Sequence, residues 1–297
     1  MTTALPLYMR RFTRKYPGLF IILLDQSRSM REPVVGIDSS KADFAATALN
    51  ELIYAMIDQT PIDEETGERR KYVYLSVLGY SDEVVSLLSP DGQPVDLTSL
   101  AKRPLGTTAI TRDVYDPATN TFQAVQDTHR PYWIKPGWVN STQTDKAFMR
   151  ARDLVREWLN STPEPGQASR MECFPPIIIH ITDGEDNGIY DPEPISYEIR
   201  SEGTYQGATL IFNCHFTAEM QEPCVFPTYE YEVESLHPFA SRLLAMSSAI
   251  PEPLLNNASA VASRPLQPGA RGFIFNGNVE LLVKFLNWGT LRTVGLG

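Results

Sequence analysis

Two short apolar runs, each followed by an aspartate, constrain this sequence more than any other feature. Residues 18–24 (Gly-Leu-Phe-Ile-Ile-Leu-Leu) precede Asp25, and residues 176–181 (Pro-Ile-Ile-Ile-His-Ile) precede Thr182 and Asp183. Continuous runs of this length are typical of parallel strands that helices cover on both faces. Ligands of such sheets gather at the carboxyl ends of the strands. The sequence therefore predicts that both aspartates lie at one edge of a sheet.

The rest of the chain alternates strand and helix patterns. Apolar spacing predicts helices over residues 41–58, 147–159, 192–202, 234–247 and 278–288. Further strands are predicted over residues 71–78, 83–88, 208–214 and 272–276, and residues 251–268 are predicted to be loop. The pattern indicates an α/β fold with a doubly wound, mostly parallel central sheet and helices on both faces. The short connection between strands 71–78 and 83–88 predicts one antiparallel edge strand.

The 297 residues are predicted to form a single domain, 1–297, with an N-terminal arm of residues 1–15 and an insertion of residues 90–141. The insertion contains six prolines and little periodicity, which favours local turns and a small hairpin. Its aromatic residues Tyr132, Trp133 and Trp138 have two interpretations. They either contact a partner or pack the insertion against the domain.

Composition excludes several classes of function. The chain has 36 acidic and 26 basic residues, a formal charge of −10, which disfavours nucleic acid as a partner. No apolar run approaches the roughly 20 residues that cross a bilayer. The sequence lacks a secretory signal pattern and has three scattered cysteines, Cys173, Cys214 and Cys224. We therefore expect a cytoplasmic protein with reduced thiols and no membrane contact.

The residues after the two apolar runs carry the candidate chemistry. Asp25, Ser27 and Ser29 follow the first, and Asp183 follows the second. A site that offers only carboxylate and hydroxyl oxygens suits a hard divalent cation, Mg²⁺ or Mn²⁺. The adjacent acids of residues 185–186 are expected to be solvated, with a second ion as the alternative.

The D-x-S-x-S spacing of Asp25, Ser27 and Ser29, with a later strand ending in Thr-Asp-Gly at Asp183, resembles von Willebrand factor type A domains. The resemblance spans residues 15–290. It implies a metal-ion-dependent adhesion site, in which the ion accepts an Asp or Glu side chain from a protein partner. Asp25 and Asp183 would act directly or through water, and the serines would offer neutral oxygens.

The same resemblance implies a threonine ligand in the loop that opens a helix. In the family pattern this threonine lies five residues before an Ala-Leu or Gly-Ile pair, which Ala147-Phe148 matches, and this selects Thr142. The glycines that usually precede the threonine are replaced by Asn140 and Ser141. Both replacements tolerate turn conformations, so the loop is compatible with the site.

Within the family, the strings at residues 212–215 (Phe-Asn-Cys-His) and 271–276 (Arg-Gly-Phe-Ile-Phe-Asn) resemble bacterial cytosolic members associated with tellurite resistance and stress response. This branch implies a non-catalytic adaptor or regulator in a stress, signalling or defence assembly. Its partner would be a kinase, a protein phosphatase or an AAA+ ATPase. The chain lacks the G-x-S-x-G and G-x-x-x-x-G-K-[ST] motifs, which also argues against an enzyme.

Several alternatives stay open at this point. Thr144 is the second choice for the threonine ligand and Thr108 the third. Asp25 and Ser27 would instead cap a helix, or Asp183 would merely form a turn. A Mg²⁺-dependent phosphohydrolase with Asp25 as nucleophile is the enzymatic alternative, although Ser27 stands where such chemistry usually places a second carboxylate. An RNA-binding scaffold is the third functional hypothesis.

Overall fold

A computed structural model describes residues 6–34, 39–62, 67, 69–116, 121–139, 141–184, 188–217, 221–234 and 236–292. Its strands are β1 Gly18–Asp25, β2 Val73–Tyr80, β3 Val84–Ser86, β4 Val95–Asp96, β5 Gly106–Asp116, β6 Thr121–Tyr132, β7 Ile177–Thr182, β8 Gly203–Thr204, β9 Gly207–Ala208, β10 Leu210–Phe216, β11 Cys224–Val225 and β12 Phe273–Gly277. Its helices are α1 Lys41–Asp58, α2 Leu97–Ala101, α3 Thr144–Leu159, α4 Pro192–Ser201, α5 Tyr231–Glu234, α6 Pro238–Met246, α7 Glu252–Ala262 and α8 Val279–Asn287.

The central sheet has the order β11-β12-β10-β7-β1-β2-β3, and β4 also pairs with β2. The five strands from β12 to β2 are parallel, and β3, β4 and β11 are antiparallel to their neighbours. This confirms the predicted fold class. Antiparallel strands lie at both edges of the sheet, where the sequence predicted one.

Strand β1 shows why both faces of the sheet are covered. All eight of its residues are buried. The odd-numbered side chains from Leu19 to Leu23 join an apolar cluster with α3 and α4. The even-numbered side chains from Phe20 to Leu24 join a second cluster with α1, α7 and α8. Because alternate side chains of a strand point to opposite faces, a continuous apolar run is required between two helical layers.

The predicted insertion is built differently from the expectation. Strand β4 and helix α2, at its start, belong to the body of the domain, since β4 pairs with β2. The following hairpin of β5 and β6 has strands of 11 and 12 residues, longer than the small hairpin predicted. The pairing extends from Gly106–Tyr132 to Asp116–Thr121, with one irregularity between Thr108 and Ile110.

Two other predictions were wrong, and proline explains both. The helix predicted over residues 234–247 is interrupted, because Pro238 lacks the N–H of a helix interior and begins α6 instead. The loop predicted over residues 251–268 contains α7, which has proline in its first turn, where proline is tolerated. Leu254 and Ala258, four residues apart, are the buried side chains of α7.

The N-terminal segment packs partly against the domain. The ring of Phe12 is buried, with its centroid 5.6 Å from that of Phe20 and 5.7 Å from that of Phe174. The Tyr8 hydroxyl accepts a hydrogen bond from the Ala208 backbone at 2.9 Å.

The three cysteines are free thiols. No helix in the described ranges is long and apolar enough to cross a bilayer.

The Asn50 side chain holds the segment that follows β6 against α1. Asn50 of α1 accepts hydrogen bonds from the backbone N–H groups of Trp133 at 2.8 Å and Ile134 at 2.9 Å. Its amide also donates to the Ile134 carbonyl at 2.8 Å. Both Trp133 and Ile134 are buried, so these backbone groups depend on Asn50 for their partners.

We expect Asn50→Ala to lower the free energy of unfolding by about 2 to 4 kcal/mol, because it leaves buried backbone groups without partners. Urea unfolding measures the effect. The matched control is Asn160→Ala, which removes an exposed amide bonded to the Arg156 carbonyl and should cost less than about 0.5 kcal/mol. Equal losses in the two variants would contradict this account of the insertion.

Candidate metal centre

Asp25 is the last residue of β1 and has no solvent exposure. Its Oδ1 accepts a hydrogen bond from the backbone N–H of Ser27 at 2.8 Å, and its Oδ2 accepts one from the Thr182 hydroxyl at 2.7 Å. Both carboxylate oxygens are therefore engaged. Asp25 ties the loop after β1 to the end of β7, and so it positions the side chains that follow each strand.

Three oxygen atoms converge beside Asp25. The Ser27 and Ser29 hydroxyl oxygens are 3.0 Å apart. Oδ1 of Asp183 lies 2.8 Å from the Ser29 hydroxyl and 3.5 Å from that of Ser27. The structure thus brings together Asp25, Ser27, Ser29 and Asp183, which the sequence predicted to meet at one edge of the sheet.

The spacing of these oxygens fits a small divalent cation. Ligands about 2.1 Å from an octahedral Mg²⁺ lie about 3.0 Å from their neighbours. The three separations of 2.8, 3.0 and 3.5 Å form a triangle of about that size. Among the residues described, no group of three or more His, Cys, Asp and Glu side chains is placed to hold a metal ion. The donor set that is present favours a hard cation over a soft one.

The structure also tests the simpler interpretations of these residues. Ser27 stands at the N-cap of a short 3₁₀ turn, yet its side chain makes no capping hydrogen bond. The Asp183 side chain is fully buried and contacts Ser29 and Lys41, so Asp183 does more than form a turn. Helix capping and turn formation therefore do not explain the gathered side chains.

Lys41, which the sequence analysis missed, reaches the same carboxylate. Its ammonium donates to Oδ2 of Asp183 at 2.9 Å and to Glu32 at 2.8 Å. Burial alone would lower the pKa of Lys41, but the hydrogen bonds and charges of Glu32 and Asp183 raise that pKa above its ordinary value. The ammonium therefore stays charged. The only signal in the sequence was a lysine at the first position of a predicted helix.

Burial also acts on the Asp25 carboxyl, together with a neighbouring charge. Desolvation and the charge of Asp183 raise the pKa of Asp25 to about 6, although the hydrogen bonds from Ser27 and Thr182 lower it. Asp25 is therefore a buried carboxyl beside a second carboxylate. A cation at this position would relieve the repulsion between the two aspartates.

The threonine candidates occupy three different places. Thr142 and Thr144 are both buried, Thr142 two residues before α3 and Thr144 at its first position. Thr144 interacts with the side chain of Tyr80, a residue of β2 that pairs with Asp25. Thr108 is exposed on β5, within the hairpin. Residue 140 of the threonine loop lies outside the described residues, as do the acids of residues 185–186.

A buried chain of hydrogen bonds begins at Tyr80, which pairs with Asp25 in the sheet. The Tyr80 hydroxyl lies 2.7 Å from Nε2 of His180, and Nδ1 of His180 lies 2.9 Å from Oδ1 of Asn213. The Asn213 amide donates to the Ser247 hydroxyl and the Leu243 carbonyl. The Asn213 oxygen must therefore accept from Nδ1–H of His180, which leaves Nε2 to accept from Tyr80. His180 is thus a buried histidine with hydrogen-bond partners on both ring nitrogens.

The insertion ends next to the metal-site loop. The Gln26 carbonyl accepts a hydrogen bond from the Val139 backbone at 2.7 Å. Trp133 is buried and donates its indole N–H to the Leu100 carbonyl, whereas Trp138 is 44% exposed. Trp133 therefore packs the insertion against the body, whereas Trp138 is exposed next to Val139, which is bonded to the loop after β1.

The comparisons with known proteins find structures alone. No family model and no curated protein sequence matches the chain. The chain is similar to von Willebrand factor type A from Catenulispora acidiphila, at 10% identity and a TM-score of 0.38, over 74% of this chain and 36% of that one. It is also similar to the conserved hypothetical protein BatB from Bacteroides thetaiotaomicron, at 15% identity and a TM-score of 0.32, over 67% of this chain and 66% of that one.

A further similar structure is proximal thread matrix protein 1 from the mussel byssus, with a zinc-occupied MIDAS motif. Its identity is 11% and its TM-score 0.42, over 95% of this chain and 48% of that one. The chain spans less than two thirds of the length of each of these three proteins. The candidate site therefore rests on its own geometry: a cluster of side-chain oxygens at the carboxyl edge of the sheet in a doubly wound α/β protein.

Substitution of the two buried threonines separates the ligand candidates. We expect Thr142→Val to weaken Mn²⁺ binding at least tenfold, measured by titration calorimetry, because it deletes a ligand oxygen with little change of volume. Thr144→Val should change the affinity less than threefold, since that side chain interacts with Tyr80. The reverse order of effects would make Thr144 the ligand.

The buried His180 makes stability depend on pH. Burial lowers the pKa of His180 from 6.5 to about 4, so the unfolded chain binds this proton at a higher pH than the folded chain. The stability that neutral His180 confers is complete above pH 6.5 and is lost as pH falls toward 4.

We therefore expect the advantage of the wild type over His180→Gln in unfolding free energy to shrink by about 3 kcal/mol between pH 7 and pH 4. Denaturant unfolding in EDTA measures it. Ile179→Val, which changes no titratable group, should differ from the wild type by the same amount at both pH values. A pH-independent difference for His180→Gln would refute the assignment of a neutral buried histidine.

Proposed function

We propose that this protein is a non-catalytic interaction module that uses a divalent cation, Mg²⁺ or Mn²⁺, to bind an acidic side chain of a protein partner. The observation that carries the proposal is the triangle of oxygens from Ser27, Ser29 and Asp183, which has the spacing of cation ligands. Asp25 and Thr142 would complete the set.

The charge of this donor set explains why a partner would be needed. The hydroxyls of Ser27, Ser29 and Thr142 are neutral, and Asp25 directs its two oxygens to Ser27 and Thr182. Asp183 would be the one carboxylate placed directly among these oxygens, so a dication bound there would be neutralised incompletely by its direct ligands. An Asp or Glu carboxylate from outside would then complete both the coordination and the charge.

The surroundings of the site favour a protein as the partner. Trp138 and Val139, next to Gln26, are 44% and 48% exposed. Ile189 and Tyr190 are 82% and 63% exposed, and the Tyr190 backbone is bonded to Asp145 in the first turn of α3. Exposed large apolar side chains near a charged centre are typical of protein–protein contacts.

The enzymatic alternative is disfavoured by the environment of its nucleophile. Asp25 has no exposed surface, and both of its oxygens accept hydrogen bonds. A phosphoryl group would have to displace these contacts before an attack on phosphorus. The formal charge of −10 likewise disfavours the RNA-binding scaffold.

The finer assignment is part of the same proposal. We place the protein in the cytosol, in the bacterial branch with tellurite-resistance and stress-response members, on the strength of the strings at residues 212–215 and 271–276. The partner would then be a kinase, a protein phosphatase or an AAA+ ATPase that presents an acidic residue.

The bound cation can be tested directly as a carboxylate receptor. Water-proton relaxation of the Mn²⁺-loaded protein should fall when a peptide with one Glu among apolar residues is added, because its carboxylate displaces water from the ion. The matched peptide with Gln should have no effect. Ser29→Ala should bind Mn²⁺ at least tenfold more weakly, whereas Asp91→Asn, at an exposed acid outside the site, should match the wild type.

Three results would refute the proposal. They are failure of the wild type to bind Mn²⁺, equal responses to the Glu and Gln peptides, and hydrolysis of a phosphate monoester that Asp25→Asn abolishes. The last result would establish the phosphohydrolase instead.

A further inference from the structure

We infer that Lys41 is a built-in counter-cation of the metal site, which weakens the binding of the divalent ion and strengthens the attraction of that ion for an acidic partner. The inference rests on the proposed function. It concerns a residue outside the predicted ligand set.

Three features of its position make the charged form of Lys41 unfavourable. Its side chain is 7% exposed, and a buried ammonium is unfavourable unless carboxylates are close to it. It is the first residue of α1, where the partial positive charge of the helix end repels a cation. It also lies beside the place where a dication would bind.

Local structure nevertheless fixes Lys41 at this position. Ser40 and Asp43 form a reciprocal capping box that starts α1 at Lys41. The Lys41 backbone N–H also donates to the Glu32 carbonyl at 2.9 Å. The chain thus holds both the backbone and the ammonium of Lys41 against the loop that carries Ser27 and Ser29.

The two oxygens of Asp183 face different groups. Oδ1 faces the hydroxyls of Ser27 and Ser29, and Oδ2 accepts from the Lys41 ammonium at 2.9 Å. The ammonium therefore leaves Oδ1 available to a cation while it withdraws negative charge from the same carboxylate. Its second acceptor, Glu32, has a side chain that is 64% exposed, so water screens the charge of Glu32.

The formal charges of the buried side chains show how Lys41 would change the net charge of the occupied site. Asp25 and Asp183 contribute two negative charges and Lys41 one positive charge, which leaves one negative charge in the buried set. With a dication the set carries one positive charge, and a partner carboxylate brings it to zero. Without Lys41, the dication alone would reach zero, and the attraction for a partner would be weaker.

The test compares Mn²⁺ affinity and carboxylate affinity in four proteins: the wild type, Lys41→Gln, Lys41→Arg and Lys146→Gln. Lys146 is the matched control, because it is an exposed lysine in the first turn of α3 whose ammonium donates to the Asp82 carbonyl. Calorimetry measures Mn²⁺ binding. Relaxation of the Mn²⁺-loaded proteins measures the affinity of the Glu peptide, and circular dichroism verifies folding.

We expect Lys41→Gln to bind Mn²⁺ at least tenfold more tightly than the wild type and the Glu peptide at least threefold more weakly. Lys41→Arg, which keeps the charge, and Lys146→Gln should stay within threefold of the wild type in both assays. If Lys41→Gln leaves Mn²⁺ affinity unchanged or weaker while the wild type binds Mn²⁺, the inference fails and the proposed function stands. If neither protein binds Mn²⁺, both fail.

A second variant tests the same inference without replacing Lys41. Glu32→Gln removes one of the two carboxylates that offset the ammonium, so Mn²⁺ should bind about threefold more weakly than in the wild type. Lys41→Gln and Glu32→Gln therefore move the metal affinity in opposite directions. Changes in the same direction would contradict the counter-cation role.

Discussion

The parallel pairing of β1 with β7 is the constraint on which the candidate site depends. The register sets Leu24 opposite Ile181, so Asp25 and Thr182, the next residue of each strand, meet in a hydrogen bond of 2.7 Å. The contacts among Asp25, the two serines and Asp183 follow from that junction, because the serines lie on the loop after Asp25 and Asp183 directly follows Thr182. A slip of one residue would turn Asp25 toward the opposite face of the sheet.

Burial of this edge of the sheet has two effects: it makes the strands rigid, and it shifts the pKa values of the ionisable groups there. Burial on both faces makes β1 and β7 rigid. A rigid sheet suits a site whose oxygens must stay within a few tenths of an ångström of the ideal ligand spacing. The same burial raises the pKa of Asp25 and lowers that of His180 to about 4. The hydrogen-bond chain from Tyr80 through His180 to Asn213 satisfies the buried polar groups of these three side chains, whereas a bound cation would be needed to offset the charges of Asp25 and Asp183.

Sequence patterns predicted the buried parts of this protein well. Helix α1 has the predicted bounds, and β1, β7 and β10 lie within two residues of prediction, since continuous apolar runs and helical spacing are strong signals. The gathering of Asp25, Ser27, Ser29 and Asp183 followed from the rule that ligands collect at strand ends. Helix α7 was missed because prolines at its start are also typical of loops. Proline is nevertheless tolerated in the first turn of a helix.

Lys41 could not have been predicted to reach Asp183, because that ion pair joins residues 142 positions apart. Nothing in the local pattern distinguishes a lysine that enters a site from one that faces water.

The most direct measurement is a crystal structure of the protein soaked with Mn²⁺, with anomalous diffraction used to locate the ion. We expect a single strong peak within coordination distance of the Ser27 and Ser29 hydroxyls, with the Lys41 ammonium still bonded to Asp183. A peak elsewhere, or no peak while Ser29 remains hydrogen-bonded to Asp183, would contradict the claim that this edge of the sheet is a cation site.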